Sequence, residues 1–294
     1  MLHYTPIIQK INSDLFSEKK VDVSVLRLDL IHPQISGNKW FKLKYNLEEA
    51  KRLGYDTILT FGGAFSNHIH ATAVACNQAG FKSIGVIRGE PSSIGNYTLS
   101  DAAANGMQLF FVSREDYNKK QEAGFIKSLT ERFGNFYSVP EGGDNELGAK
   151  GCEEILPTQN NFDVVLCACG TGTTLKGISN SLQPSQKIIG ISVLKGVGDL
   201  NANANVNAEY HFGGYAKHTN ELLEFKKNFE AQTQIPLDYV YTSKLFFGAY
   251  DLIKSNRLTG NKILIIHSGG LQGNRGYEDR YALNPKRNVN EPQG

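Results

Sequence analysis

Cysteine is scarce in this chain: four residues in 294, too few for the disulfide framework of a small secreted domain. No apolar stretch approaches the roughly 18 residues that suggest a membrane helix. Residues 1–16 carry no basic segment followed by an apolar run, so no secretory signal is expected. Charge is modest as well. Asp, Glu, Lys and Arg make up 20% of the chain and the formal net charge is +2; no Lys/Arg cluster exceeds a few residues. That balance argues against a nucleic-acid partner and against binding to a membrane surface. Together these absences point to a cytoplasmic location. Internal repeats and low-complexity tracts are also lacking, which excludes a solenoid or a fibrous array.

What the chain does have is length, glycine and a regular alternation of patterns. Its 294 residues suffice for one or two domains with a sizeable core, and 40% are hydrophobic besides 30 glycines. Residues 21–30 read as a strand, 42–53 as a helix closed by Gly54, 57–61 as a strand, and 66–78 as a helix ended by Gly80. Segments 83–87, 97–104, 109–112 and 125–133 continue the alternation. After a turn-rich stretch at 140–145 come a helix near 148–155 and a continuous apolar run at 163–168, the pattern of a fully buried parallel strand. Cys167 and Cys169 lie two apart on it, share one face and serve as small apolar core residues. A helix at 171–181, a strand at 187–192, helices at 222–231 and 244–254, and a strand at 262–266 ending at His267 follow. From residue 284 the chain is polar, carries two prolines and reads as a loose tail. The fold class is α/β, built on mainly parallel sheets. Boundaries near Leu53 and at 140–145 suggest a smaller α/β unit, 53–139, inserted into a larger one made of 1–52 and 140–294.

Several short segments have the composition of a site. Cys167-Ala168-Cys169-Gly170-Thr171-Gly172-Thr173-Thr174 runs from a buried strand through a Gly-x-Gly turn into a helix. Glycine lets backbone N–H groups approach an anion, threonines add hydroxyls, and the helix start supplies positive potential. The third glycine of a dinucleotide fingerprint is replaced by Leu175, so a monophosphate fits better than a dinucleotide. A tight turn without a ligand is equally compatible with this segment alone. In Ser36-Gly37-Asn38-Lys39-Trp40-Phe41-Lys42 a glycine turn before a helix presents Lys39 among aromatic and small residues. Partial desolvation there would lower its pKa and free its amine for Schiff-base chemistry, although an isolated lysine at a helix start is ordinarily solvated. Phe61-Gly62-Gly63-Ala64-Phe65-Ser66-Asn67-His68-Ile69-His70 ends a strand and opens a helix. Ser66 suits an N-cap, and the same turn could receive a carboxylate. His68 and His70 fall on different helix faces, so no shared metal is expected. Two weaker segments are Tyr239-Val240-Tyr241-Thr242-Ser243-Lys244 and His267-Ser268-Gly269-Gly270, the latter at the carboxyl end of a parallel strand, where α/β proteins bind ligands.

In this order the five segments resemble the family of 1-aminocyclopropane-1-carboxylate (ACC) deaminases and D-cysteine desulfhydrases, over about residues 21–283. The resemblance implies a two-domain enzyme of the tryptophan-synthase-β-like fold (fold type II), dependent on pyridoxal 5′-phosphate (PLP), commonly a homodimer, with its active site between the domains. Carried over by position, Lys39 bears the cofactor and Asn67 bonds its phenolic oxygen. Gly170, Thr171, Gly172, Thr173 and Thr174 hold its phosphate, and Ser268 faces its pyridine nitrogen. Ser66 meets the substrate carboxylate or acts closer to the chemistry, and Tyr241 stands near the ring as an acid or base. Asn67 and His68 complete the substrate pocket.

The sequence departs from the family in ways that bear on substrate. His68-Ile69-His70 stands where Gln-Thr-Arg is usual, and Ser36 replaces the first glycine of Gly-Gly-Asn-Lys. Thr242 and Ser268 occupy positions that are glutamate and leucine in ACC deaminases. The last two changes imply the desulfhydrase branch: β-elimination from a D-cysteine-like amino acid, giving pyruvate, ammonia and sulfide. The alternatives are ACC ring opening to 2-oxobutyrate and ammonia, β-replacement by an added nucleophile, and a non-catalytic ligand-binding protein on the same fold. His68-Ile69-His70 could instead select a bulkier or an acidic substrate, since protonated histidines would attract an extra carboxylate.

Overall fold

The computed structural model describes residues 4–91, 96–158, 160–196 and 205–281. The tail from residue 284 lies outside them. Ten strands follow one another along the chain: β1 (Ile8–Ile11), β2 (Asp22–Arg27), β3 (Thr57–Gly63), β4 (Lys82–Arg88), β5 (Met107–Val112), β6 (Tyr137–Val139), β7 (Val164–Cys169), β8 (Lys187–Ser192), β9 (Asn205–Asn207) and β10 (Lys262–His267). They form two sheets. The larger runs β1-β2-β10-β7-β8-β9 and the smaller β5-β4-β3-β6. Every pairing is parallel except β1 with β2. The α/β class with mainly parallel sheets is therefore the observed one.

Burial on both faces explains the near-continuous apolar runs of the central strands. Along β7, Val164, Leu166 and Ala168 pack on one side with Phe229, Leu245 and Phe246 of the helices Asn220–Thr233 and Thr242–Lys254. Val165, Cys167 and Cys169 alternate onto the other side, against Cys152, Leu175 and Ile178. All four cysteines are free and buried.

The helix Lys39–Arg52 joins the two sheets. Phe41 packs into the core beneath the larger sheet. Trp40, Leu43 and Leu47, on another face of the same helix, pack with Ile58 and Val139 of the smaller sheet. The sequence reading began this helix at residue 42; it begins at Lys39, so that lysine lies in the first turn and not in a loop before it. Gly54, one residue past the C-cap Leu53, takes φ +78°, and Gly80 closes the helix Asn67–Ala79 at φ +76°. The strand read at 21–30 stops at Arg27 and tightens into a 3₁₀ turn, Leu28–Leu30. The helix read near 148–155 is Glu146–Cys152.

Candidate active site

In open parallel sheets, ligands bind beyond the carboxyl ends of the strands. Here the carboxyl ends of β3, β7 and β10 and the start of helix Lys39–Arg52 surround one cavity of about 630 Å³. Its walls include Lys39, Ser66, Asn67, His68, Tyr241 and Ser268, together with Gly170, Thr171, Gly172 and Thr174 of the glycine–threonine turn. Thr173 is buried behind that turn.

Glycine is what lets these segments meet. Gly37 has φ +79°, and a Cβ there would lie 1.8 Å from the Ser268 carbonyl oxygen. A Cβ on Gly269 would lie 2.8 Å from Gly37 Cα, and one on Gly270 would lie 2.7 Å from Asn67 Nδ2. Backbone thus touches backbone between the lysine segment and the loop after β10. The Asn38 N–H donates to Ser268 O (3.2 Å) and the Asn38 amide donates to Thr174 Oγ1 (2.8 Å). Asn38 ties the lysine segment to both of the other segments at once, which no periodicity in the sequence indicated.

Lys39 Nζ donates to Asn38 Oδ1 at 3.0 Å. Desolvation, with help from the charge of Lys42, pulls its pKa down to about 7. A large fraction of the amine is then unprotonated at neutral pH, as a Schiff-base lysine requires. His68 is buried, and its Nε2 lies 2.8 Å from Thr60 Oγ1. That hydroxyl gives its own proton to Val139 O (2.8 Å), so the ring must donate through Nε2 and leave Nδ1 an acceptor. Burial and the nearby lysine charges hold the His68 pKa well below the usual histidine value. The expectation that protonated histidines draw an acidic substrate fails for His68: it is a neutral ring. His70 faces elsewhere, with Nε2 3.8 Å from Asp101, and burial lowers its pKa too.

The turn after β7 suits a phosphate monoester. Gly172 takes φ +92° and caps the helix Thr173–Ser181, so the helix starts two residues later than expected and its free N–H groups face the turn. Thr171 and Thr173 hydroxyls lie 3.0 Å apart, and Thr173 donates to Asp144 (2.5 Å), which fixes both. Lys42, one turn along the helix from Lys39, also lines the cavity although it is only 4% exposed. Desolvation lowers its pKa, and no carboxylate among the described residues is within ion-pair distance of it. A buried cation beside an anion-ready turn is the partner a phosphate needs, so the donor set fits PLP. Nothing in the local pattern had singled out Lys42.

Tyr241 closes the opposite wall. Burial raises its phenol pKa well above the usual value, and its ring meets that of Tyr215 edge-on at 6.1 Å. Desolvation raises the Tyr215 phenol as well, although that residue is 45% exposed, so both remain protonated donors. Asp238, 2% exposed, holds Tyr241 in place. Its carboxylate accepts the N–H groups of Val240 (2.9 Å), Tyr241 (2.9 Å) and Thr242 (2.7 Å). Thr242 is fully buried and gives its hydroxyl to the same carboxylate at 2.8 Å. It does not line the cavity, so the replacement of glutamate by Thr242 presents no hydroxyl to a bound ligand and does not by itself favour the desulfhydrase branch. An aspartate just ahead of a helix was the available signal for Asp238; Tyr215 had none.

The chain matches the family model described as pyridoxal-phosphate-dependent enzyme over residues 3–207. It is 31% identical to a Pyrococcus furiosus protein that carries the provisional name 1-aminocyclopropane-1-carboxylate deaminase, across 95% of this chain and 92% of that one. It is 32% identical to the mitochondrial bifunctional D-cysteine desulfhydrase/1-aminocyclopropane-1-carboxylate deaminase of Arabidopsis thaliana, across 85% of this chain and 72% of that one. Among solved structures, an ACC deaminase homologue superimposes with a TM-score of 0.84 at 29% identity, covering 96% of this chain and 94% of the other. The fold, the convergence of five separated segments on one cavity and these likenesses agree: the chain belongs to the pyridoxal-phosphate-dependent enzymes, in the family of ACC deaminases and D-cysteine desulfhydrases.

Proposed function

We propose that this enzyme deaminates a small amino acid by β-elimination, with a D-cysteine-like substrate yielding pyruvate, ammonia and sulfide. The observation that carries the reading is that Lys39 lines the same cavity as the Ser66–Asn67 helix start and the Tyr241–Tyr215 pair. When bound, PLP supplies the electron sink that weakens bonds at the substrate Cα. Lys42, the glycine–threonine turn of Gly170 to Thr174 and the helix behind it would hold its phosphate. Asn67 Oδ1 accepts from Gln272 Nε2 (2.7 Å), leaving its amide N–H groups to donate to the phenolic oxygen. Ser268 would face the pyridine nitrogen as a neutral hydroxyl.

The protein's own groups then divide the work. Ser66 Oγ already accepts the N–H groups of His68 (3.2 Å) and Ile69 (3.3 Å). Its hydroxyl proton and the positive helix end are free for the substrate carboxylate. Neutral Lys39 takes the Cα proton as general base. The Cβ–S bond then breaks with its electron pair on sulfur, and Tyr241, kept protonated, would give the leaving thiolate a proton. The 2-aminoacrylate left over hydrolyses with one water to pyruvate and ammonia. No net oxidation occurs.

Ser268, a neutral hydroxyl, supports elimination over ACC ring opening, and the Asp238 carboxylate, engaged by the backbone and Thr242, is not free to act on a ring. The experiment is to incubate the PLP-loaded protein with D- and L-cysteine, other β-substituted amino acids and ACC, assaying sulfide, pyruvate, 2-oxobutyrate and ammonia. Sulfide and pyruvate without 2-oxobutyrate are expected. Efficient 2-oxobutyrate formation with no β-elimination would replace this reading with the deaminase. Failure to take up PLP would favour a non-catalytic protein. We further propose that 53–139 forms a domain inserted between 1–52 and 140–294, a reading supported by the separate parallel sheet of β3 to β6. The protein is proposed to be a cytoplasmic homodimer, as the family resemblance implies; light scattering of the purified protein tests its assembly. No described helix is long and apolar enough to cross a membrane.

A further inference from the structure

The opening of the cavity carries charge of predominantly one sign. Arg88 ends β4 in register with Gly63 of β3, and a Cβ on Gly63 would lie 3.7 Å from its Nη2. The guanidinium is thereby held over the turn that leads to Ser66, 5.6 Å from the centre of the Tyr117 ring. Lys217 and Arg280 also line the cavity, and all three cations are exposed. Only two described carboxylate residues line it: Asp238, engaged by three backbone N–H groups, and Glu141, whose carboxylate has Lys120 Nζ at 3.4 Å. A neutral side chain such as that of cysteine gives this cationic rim nothing to bind. The Ser66 helix start already suffices for the α-carboxylate.

We propose that the rim around Arg88 is a subsite for a negatively charged side-chain group, so that the preferred substrates are amino acids whose β-substituent is an anionic leaving group, such as a phosphate or sulfate ester of serine. The inference rests on the lyase reading above. The reaction stays redox-neutral: the Cα–H proton goes to Lys39, the Cβ–O bond breaks with its electron pair on the ester oxygen, and phosphate or sulfate leaves. Water then converts 2-aminoacrylate to pyruvate and ammonia.

Two measurements on the PLP-loaded enzyme test this, each with both enantiomers. Turnover is compared for O-acetylserine, serine O-sulfate and O-phosphoserine. Binding is measured by calorimetry with 2-amino-4-phosphonobutyrate against norvaline, neither of which has a leaving group. We expect kcat/KM and affinity to favour the charged members by about tenfold at low salt, with the preference shrinking several-fold at about 0.3 M salt. Arg88→Gln should lower the charged-over-neutral ratio about tenfold, and Arg88→Lys should restore part of it. Equal or better binding of the neutral members, with a ratio indifferent to Arg88→Gln, would overturn the subsite; pyruvate from O-acetylserine would then leave the lyase reading standing. A calorimetric preference for the phosphonate, with no pyruvate from any ester or from D- or L-cysteine, would support the subsite and overturn the lyase reading.

Discussion

At pH 8 Lys39 is charged in the unfolded chain and mostly neutral in the folded one, because folding drops its pKa from 10.5 to about 7. The unfolded chain therefore binds more protons between those values, and stability gains from rising pH across that window. Below pH 7 both states are protonated and the full penalty of the buried ammonium remains. Lys39→Met should accordingly raise the melting temperature of the PLP-free protein at pH 7 by roughly 2–5 °C, with the gain fading toward pH 10. It should also lower turnover by several orders of magnitude and abolish the pyridoxyl label that borohydride reduction fixes on the parent. A melting temperature unchanged at every pH would mean that the amine is solvated. His68 gives a second pH expectation. Its burial keeps it neutral, so its ring carbon shifts in NMR should stay flat from pH 5.5 to 8; a titration midpoint near 6.5 would restore it as a charge sensor. Lys39 was legible in the sequence because the Gly-Asn-Lys setting marked it out. Lys42 was not, because its place in the cavity with the glycine–threonine turn depends on a helix that starts three residues earlier than the apolar pattern suggested.

Helices and strands were legible where their apolar patterns were long. The helix Tyr97–Ala104 matches its expected span, and the buried strands β7 and β10 stood out as unbroken apolar runs. The strands β1, β6 and β9 escaped because they are three or four residues long, too short for alternation to show. The start of helix Lys39–Arg52 was displaced for a different reason. Asn38 does not cap it in the usual way; its side chain donates to Thr174 instead. The turns that precede these elements carry the clearest mutational expectations. Gly37→Ala places a methyl 1.8 Å from Ser268 O at a φ of +79°, so the two segments must separate. A loss of about 2–4 kcal/mol in chemical denaturation is expected, together with weakened PLP capture. Gly172→Val strains a φ of +92° at the start of the helix Thr173–Ser181. It should loosen PLP, measured by equilibrium dialysis, more than it lowers the stability of the PLP-free protein. Equal PLP retention would locate the phosphate elsewhere.

Across the whole molecule, the cavity draws on both sheets: Ser66, Asn67 and His68 follow β3 of the smaller one, while Gly170 to Thr174 and Ser268 follow β7 and β10 of the larger. A ligand held there binds the assembled structure and not either half. Saturation with PLP at 100 times its dissociation constant should then stabilise the protein by about 2.7 kcal/mol and raise every unfolding transition seen by calorimetry. Stabilisation of one transition alone would mean that PLP contacts one sheet only. The order of the sheets was the least legible feature of the sequence, because pairing of β10 with both β2 and β7 is set by long-range burial and leaves no local mark. That pairing also has a consequence for biosynthesis. β3 to β6 are contiguous in the chain, but β2 finds its parallel neighbour only when β10, some 240 residues later, has emerged. The loop that meets Gly37 lies just beyond β10. Until about residue 270 has been made, the wall that meets Gly37 is missing, so a growing chain cannot assemble the complete site beside Lys39.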